Sequence, residues 1–306
     1  MEKLINIDRR IIYILLTISV ALPLLKPMGL PFGLSKETQR AFDAVEALKP
    51  GDAVVIDFGY NAGGAAEVHP MAAAFVAHCM IKDVRVIGFS LDPQGSRFAD
   101  LIWQQWAEQG KTYGEDFVSL GYFAGGEAAL ASFAKDIPGF VSTDYYGNST
   151  SGMPIFQGIK TADDIDLFIS ISTSSILPFI QYFHGPYGKP VTGGAIGTQI
   201  SRYQSYADAG QLQGYLPSLR GAAEYEKLLE MPGEATSAMD AQSAAHILLA
   251  VLIVLGNIGE YVVRKTQQAS SESPRGGLEH GQPGNLDWRF SDSCVLEHLV
   301  QRKPRV

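Results

Sequence analysis

Two apolar runs stand at opposite ends of the chain, and short β-branched runs alternate with helical stretches between them. Residues 11–25 (IIYILLTISVALPLL) carry no charge. Fifteen helical residues rise only about 22 Å, short of a roughly 30 Å hydrocarbon core. The stem of Lys26 can snorkel, however, and apolar residues continue through Met28 and Leu30. The pattern therefore predicts a first transmembrane helix over 11–30, with Pro23, Pro27 and Pro31 kinking or ending it. Residues 244–263 (AAHILLAVLIVLGNIGEYVV) predict a second. Lys3, Arg9 and Arg10 precede the first run, and Arg264 and Lys265 follow the second. Basic flanks mark the cytoplasmic side, so 1–10 and 264–306 are expected in the cytoplasm and 34–240 on the far side of the cell membrane. A charged start before an apolar core also suits a cleaved signal peptide. Prolines and leucines stand where the small-x-small cleavage pattern belongs, which favours an uncleaved anchor.

In the middle region, strands are expected at 53–58 (AVVIDF), 84–89 (VRVIGF), 117–122 (FVSLGY), 167–172 (LFISIS) and 191–196 (VTGGAI). Helical patterns fall at 68–81, 97–110, 127–136, 176–183, 200–209 and 221–230. The strand runs are apolar without alternation, as in strands buried on both faces. Strand and helix in turn then predict an α/β domain with a mostly parallel, doubly wound, Rossmann-like sheet. Residues 137–159 carry Pro138, Gly139, Gly147, Gly152 and Pro154 and read as a long loop. The tail from Thr266 to Val306 is rich in Ser, Gly, Pro and charge, shows no apolar period, and reads as disordered.

A net charge of −8 removes nucleic acid from the partner classes, since phosphate recognition needs a basic face. The remaining partners are the lipid bilayer and, through the spans, other membrane subunits or a second copy of the chain. Gly256 and Gly259 offer a route to close helix packing. Cys79 sits in an apolar helical stretch and reads as a buried small hydrophobe; Cys294 lies in the polar tail. The histidines of the middle region, His69, His78 and His184, lack metal-ligand spacing, so no metal is expected. No GxGxxG follows the first strand and no P-loop lysine motif occurs, so no nucleotide or other cofactor is expected.

Ligands of parallel α/β sheets sit beyond the carboxyl ends of the strands. Those positions are polar or glycine-rich here: Asp57, Asn61, Gly63 and Gly64 after the first strand; Ser90 and Asp92 after the second; Gly125, Gly126 and Glu127 after the third; Thr173, Ser174 and Ser175 after the fourth. Each loop taken singly is explained by turn and capping chemistry, and together they predict a binding rim. The run from Thr173 to Ser175, at a helix start, could cradle an anion through backbone N–H groups.

Three resemblances bear on these residues. A strand, the Gly63-Gly64 turn, a helix, a second strand and a serine at a helix start resemble the opening of a Clp-protease or crotonase-type domain. That resemblance implies an oxyanion-hole turn at Gly63 and Gly64 and a nucleophile at Ser96 or Ser90, hence a membrane-bound serine hydrolase. The family's downstream histidine has no counterpart between Cys79 and Phe183. The whole order of the chain resembles an uncharacterised group of bacterial and archaeal two-span membrane proteins. It comprises a short anchor, the α/β region, the block Gly221-Ala222-Ala223-Glu224-Tyr225-Glu226, and Met239-Asp240-Ala241-Gln242-Ser243 entering the second run. This resemblance implies topology and no chemistry. At fold level the middle region is similar to extracytoplasmic α/β domains of gliding-type transporter accessory subunits. The expected protein is a membrane-anchored binding or scaffold module, an accessory subunit of a membrane complex, with no convergent acid, base and nucleophile.

Overall fold

The structure, a computed structural model, describes residues 8–30 and 33–271. Six parallel strands form one sheet: β1 Ala53–Gly59, β2 Arg85–Ser90, β3 Phe117–Tyr122, β4 Leu167–Ser172, β5 Val191–Ala195 and β6 Leu216–Pro217. Their order is β3-β2-β1-β4-β5-β6, so the winding reverses between β1 and β4. This is the strand order of doubly wound nucleotide-binding folds, in which ligands enter where the winding reverses. All seven residues of β1 are buried, which is why its run shows no alternation.

Helices cover both faces. Beneath Val54, Ile56 and Phe58 lie α2 (Lys36–Glu46), α3 (Ala62–Ile81), α4 (Gly95–Glu108) and α9 (Ser218–Leu228). Beneath Ala53, Val55, Ile87 and Phe89 lie α5 (Glu127–Phe133), α6 (Ile137–Phe140), α7 and α8 (Ile200–Asp208). The segment α7 runs as Leu177–Phe179, a π turn Ile180–His184, and Gly185–Tyr187. The loop expected at 137–159 folds down the edge of β3. Tyr145 N–H donates to Ser119 O, and Arg85 at the amino end of β2 donates to Ile155 O and Gln157 O. It is pinned along the sheet edge from the amino end of β2 to the carboxyl end of β3, where Phe140 packs against Phe123.

Two elements stand outside this domain. The N-terminal α1 (Arg9–Leu25) packs along the 38-residue α10 (Glu234–Ser271). Among the described residues one helix is long and apolar enough to cross a membrane, over Glu234–Lys265, and none of its apolar window is buried. Contrary to expectation, the helix does not stop at residue 263 but continues to Ser271. The tail beyond residue 271, with Cys294, and the start of the chain with Lys3 lie outside the described residues. Gly256 is exposed, and a Cβ there would meet nothing within 4 Å, so the α1–α10 contact does not use it.

Buried carboxylates fasten these helices to one another and to the domain. Asp240 accepts the N–H groups of Met28, Gly29 and Leu30 at 2.6, 2.7 and 2.9 Å. Glu226 accepts those of Gly233, Ala235 and Thr236 and the Thr236 hydroxyl, satisfying the first turn of α10. Glu224 accepts from Ser35 N–H, Ser35 Oγ and Arg220 Nε. The two sequence blocks at 221–226 and 239–243 thus contain the residues that join the helices to one another and to the domain.

Candidate functional site

The reversal point lies between Asp57-Phe58-Gly59 of β1 and Ser170-Ile171-Ser172 of β4, which pair residue for residue. Asp57 is 1% exposed, with Oδ1 accepting from Leu91 N–H at 3.0 Å and Oδ2 from Ser170 Oγ at 3.1 Å. Burial pushes its carboxyl up to about 7, with the neighbouring Asp92 adding to the rise against the two hydrogen bonds. No basic side chain is among the groups that act on it. Ser172 Oγ donates to Gly59 O and lies 2.8 Å from Ser174 Oγ, extending the polar strip to the surface.

Asn61 caps α3 and ties two loops together. Its Oδ1 accepts from Gly63 N–H at 3.0 Å, and its Nδ2 donates to Asp92 Oδ2 at 3.3 Å. The apolar pattern predicts this helix from residue 68; it starts at Ala62, because the glycine-rich turn is its capped first turn. His69 and Pro70 therefore lie inside a helix and not at a loop end. Gly64 permits close approach to the β4 loop: a Cβ there would stand 2.2 Å from Thr173 Cγ2. Gly95 does the same for α4, where a Cβ would stand 1.8 Å from Phe58 O.

Gly59, Asn61 and Gly64 take the spacing of the dinucleotide fingerprint, with Asn61 in the second glycine's place. In that fingerprint the second glycine lets backbone N–H groups meet a pyrophosphate. Here Gln94 Oε1 accepts from Ala62 N–H, Asn61 Oδ1 from Gly63 N–H, and Asn61 O from Gly64 and Ala65 N–H. Oxygens of the chain's own Asn61 and Gln94 take these N–H groups, so the turn does not hold them free for a pyrophosphate.

The expected rim residues divide into two groups. Asp57, Asn61, Gly63, Gly64, Ser90, Asp92, Thr173 and Ser174 gather around the ends of β1, β2 and β4. Ser175 turns back to cap α7 through Leu177 N–H. Gly125, Gly126 and Glu127 are exposed at the far strand β3, and Glu127 accepts from Tyr182 Oη at 3.3 Å. Ser90 Oγ lies between Phe58 O and the backbone of Asp92, and the buried Ser96 Oγ has no partner, so neither meets a base.

Sequence reasoning missed Ser170, Gln94, Gln199 and Tyr203. Tyr203, on α8, is buried with its Oη unpartnered; burial raises its pKa, and the charge of Asp57 adds to the rise. Gln199, one helical turn earlier, has its Oε1 buried and unpartnered. Only i, i+4 spacing at a strand-to-helix junction marked them, and that signal is shared by many surface helices.

The histidines serve structure. Tyr225 Oη lies 2.8 Å from His78 Nδ1, and Glu46 Oε2 lies 2.9 Å from Nε2. Burial shifts His78 toward its neutral form against the pull of Glu46. His69 Nδ1 lies 2.9 Å from Tyr60 Oη, and His184 Nδ1 lies 3.0 Å from Lys189 O. Cys79 is a buried free thiol, raised by burial to about 12 and thereby unreactive. Among the described residues no group of three His, Cys, Asp or Glu could hold a metal ion. No protein-family model, curated protein or solved structure matches this chain.

Proposed function

We propose that this chain is a membrane-anchored α/β binding module, a non-catalytic subunit whose two apolar helices span the cell membrane as a pair. Its domain, between the spans and outside the cytoplasm, receives a polar ligand or partner where β1 and β4 diverge. The observation that carries this reading is the bare apolar surface of α10: its window for crossing a membrane has no buried residue, and α1 lies along it. A soluble protein that left such a surface in water would expose far more contiguous apolar area than monomers normally do. Support for the orientation comes from Arg9 and Arg10 in the first turn of α1 and from Arg264 and Lys265 late in α10. Support for binding over catalysis comes from the rim, where Asp57, Asn61, Asp92 and Ser172 bond to one another and to backbone, with no base beside a nucleophile.

Labelling of intact cells with a membrane-impermeant maleimide tests the topology. Reporter cysteines go at Gly147 and Ser271 in a chain lacking Cys79 and Cys294. Labelling at Gly147 alone is the expected result. Labelling at Ser271 alone reverses the orientation, and labelling at neither returns the domain to the cytoplasm.

A further inference from the structure

Two cavities lie where the helix pair meets the domain. One, of about 530 Å³, is lined by Leu24 at the end of α1 and Pro27 after it, Ala66 and Pro70 of α3, Leu219 of α9, and Pro232, Gly233, Glu234, Ser237 and Ala238 around the start of α10. Its size falls within the range of small-molecule sites, roughly 300–1,000 Å³.

Its walls have two characters. Leu24, Pro27, Pro70, Leu219, Pro232 and Ala238 make it mainly apolar. Against this stand two acceptors. Glu234 opens α10 and contributes to the lining. Pro70 has no N–H, so the Ala66 carbonyl loses its rung of the helical ladder in the same wall. No Lys or Arg is among the lining residues. Such walls suit an amphipathic molecule with an apolar body and a head that donates hydrogen bonds; the Glu234 carboxylate disfavours an anionic head.

Position selects among such molecules. The cavity joins the end of α1 to the beginning of α10, and from there outward both helices expose apolar side chains, among them Leu22, Ile18, Ile247 and Ile253. On the membrane reading above, on which this step rests, the cavity stands at the outer interface of the bilayer. The apolar molecules most concentrated there are lipid chains.

We infer that the cavity lined by Leu24, Pro70, Leu219 and Glu234 is a phospholipid site. An acyl chain enters between the helix ends, and the ammonium of a zwitterionic head group meets Glu234 and the Ala66 carbonyl. A bound lipid would then contact domain and helices at once, beside the Asp240 and Glu226 fastenings.

The test uses the full chain in lipid nanodiscs containing a photoactivatable phosphatidylethanolamine with a diazirine in its acyl chain, followed by peptide mapping. Adducts are expected on the domain side of the cavity, in peptides holding Ala66–Pro70 and Leu219, as well as on α10. Ala238→Phe, which fills the cavity, should lose the domain-side adducts and keep those on α10; Ala66→Leu fills it from the opposite wall if the first variant fails to fold. Phosphatidylcholine carrying the same diazirine has no head-group donor and should label the domain side less. Equal labelling by the two lipids overturns the head-group assignment. Adducts confined to α1 and α10 overturn the site while leaving the membrane reading intact. Absence of adducts everywhere overturns both.

Discussion

Asp57 is the residue at which burial, charge and position meet. An unfolded aspartate titrates near 4 and the folded one near 7. Between those values the folded chain holds a proton that the unfolded chain has released, so rising pH favours unfolding. The cost is complete above about pH 7 and is on the order of a few kcal/mol. Asp57→Asn keeps an acceptor for Leu91 N–H and can donate to Ser170 Oγ, without a charge to bury. The variant should match the natural chain near pH 4 and exceed it in stability at about pH 8, as read by urea unfolding in detergent. An unchanged pH profile would mean that Asp57 is not the group responsible. The placing of Asp57 on this rim was legible in the sequence, because a lone carboxylate interrupts an otherwise apolar strand. Its partner Ser170 was not, because a serine inside a β-branched run carries no sign of the neighbour it will face. Asn61 was legible as a polar loop residue. That it fills the place of a fingerprint glycine appears only once α3 is seen to start at Ala62.

At the scale of elements, the joints of the helix pair depend on carboxylates. Asp240 supplies the hydrogen bonds of three consecutive N–H groups in the strap after α1, which no regular structure satisfies. Asp240→Ala leaves all three without that acceptor and should cost about 3 kcal/mol or more, since hydrogen bonds to charged groups are the stronger ones. Limited proteolysis offers the direct reading. Cleavage near Met28–Leu30 should rise sharply in the variant while peptides of the sheet stay protected, and an unchanged pattern would show that the strap is held by other contacts. The strands β3 and β4 fall where their apolar runs predict, and β1, β2 and β5 within a residue. The two-residue β6 escaped because it is too short to show a period, and α2 because its apolar face is confined to a few positions such as Ala41 and Val45. Glu224, Glu226 and Asp240 were visible as acidic residues beside apolar helices, but a carboxylate that binds distant backbone has no local pattern to announce it.

For the whole molecule, the decisive question is the solvent around α10. Ile253 is 63% exposed near the middle of its apolar run. In water, replacing an exposed isoleucine by arginine is close to neutral and improves solubility. At the centre of a bilayer the same change costs about 3 kcal/mol of insertion free energy on the translocon scale. Ile253→Arg should therefore lower the carbonate-resistant membrane fraction of the full chain, while Arg264, already charged at the helix end, can become Lys without effect. If Ile253→Arg partitions like the natural chain, α10 does not lie in hydrocarbon, and its apolar face must be covered by another protein. The two outcomes make opposite demands on the domain. A chain held in lipid by paired helices presents the β1–β4 crevice at a fixed height above the membrane, which suits a ligand or partner confined to that layer. A chain whose helices pair with a soluble partner has no such constraint, and the cavity between Leu24 and Glu234 would then belong to a protein interface. The Glu226 fastening resists free tilting of α10 against the domain in either case.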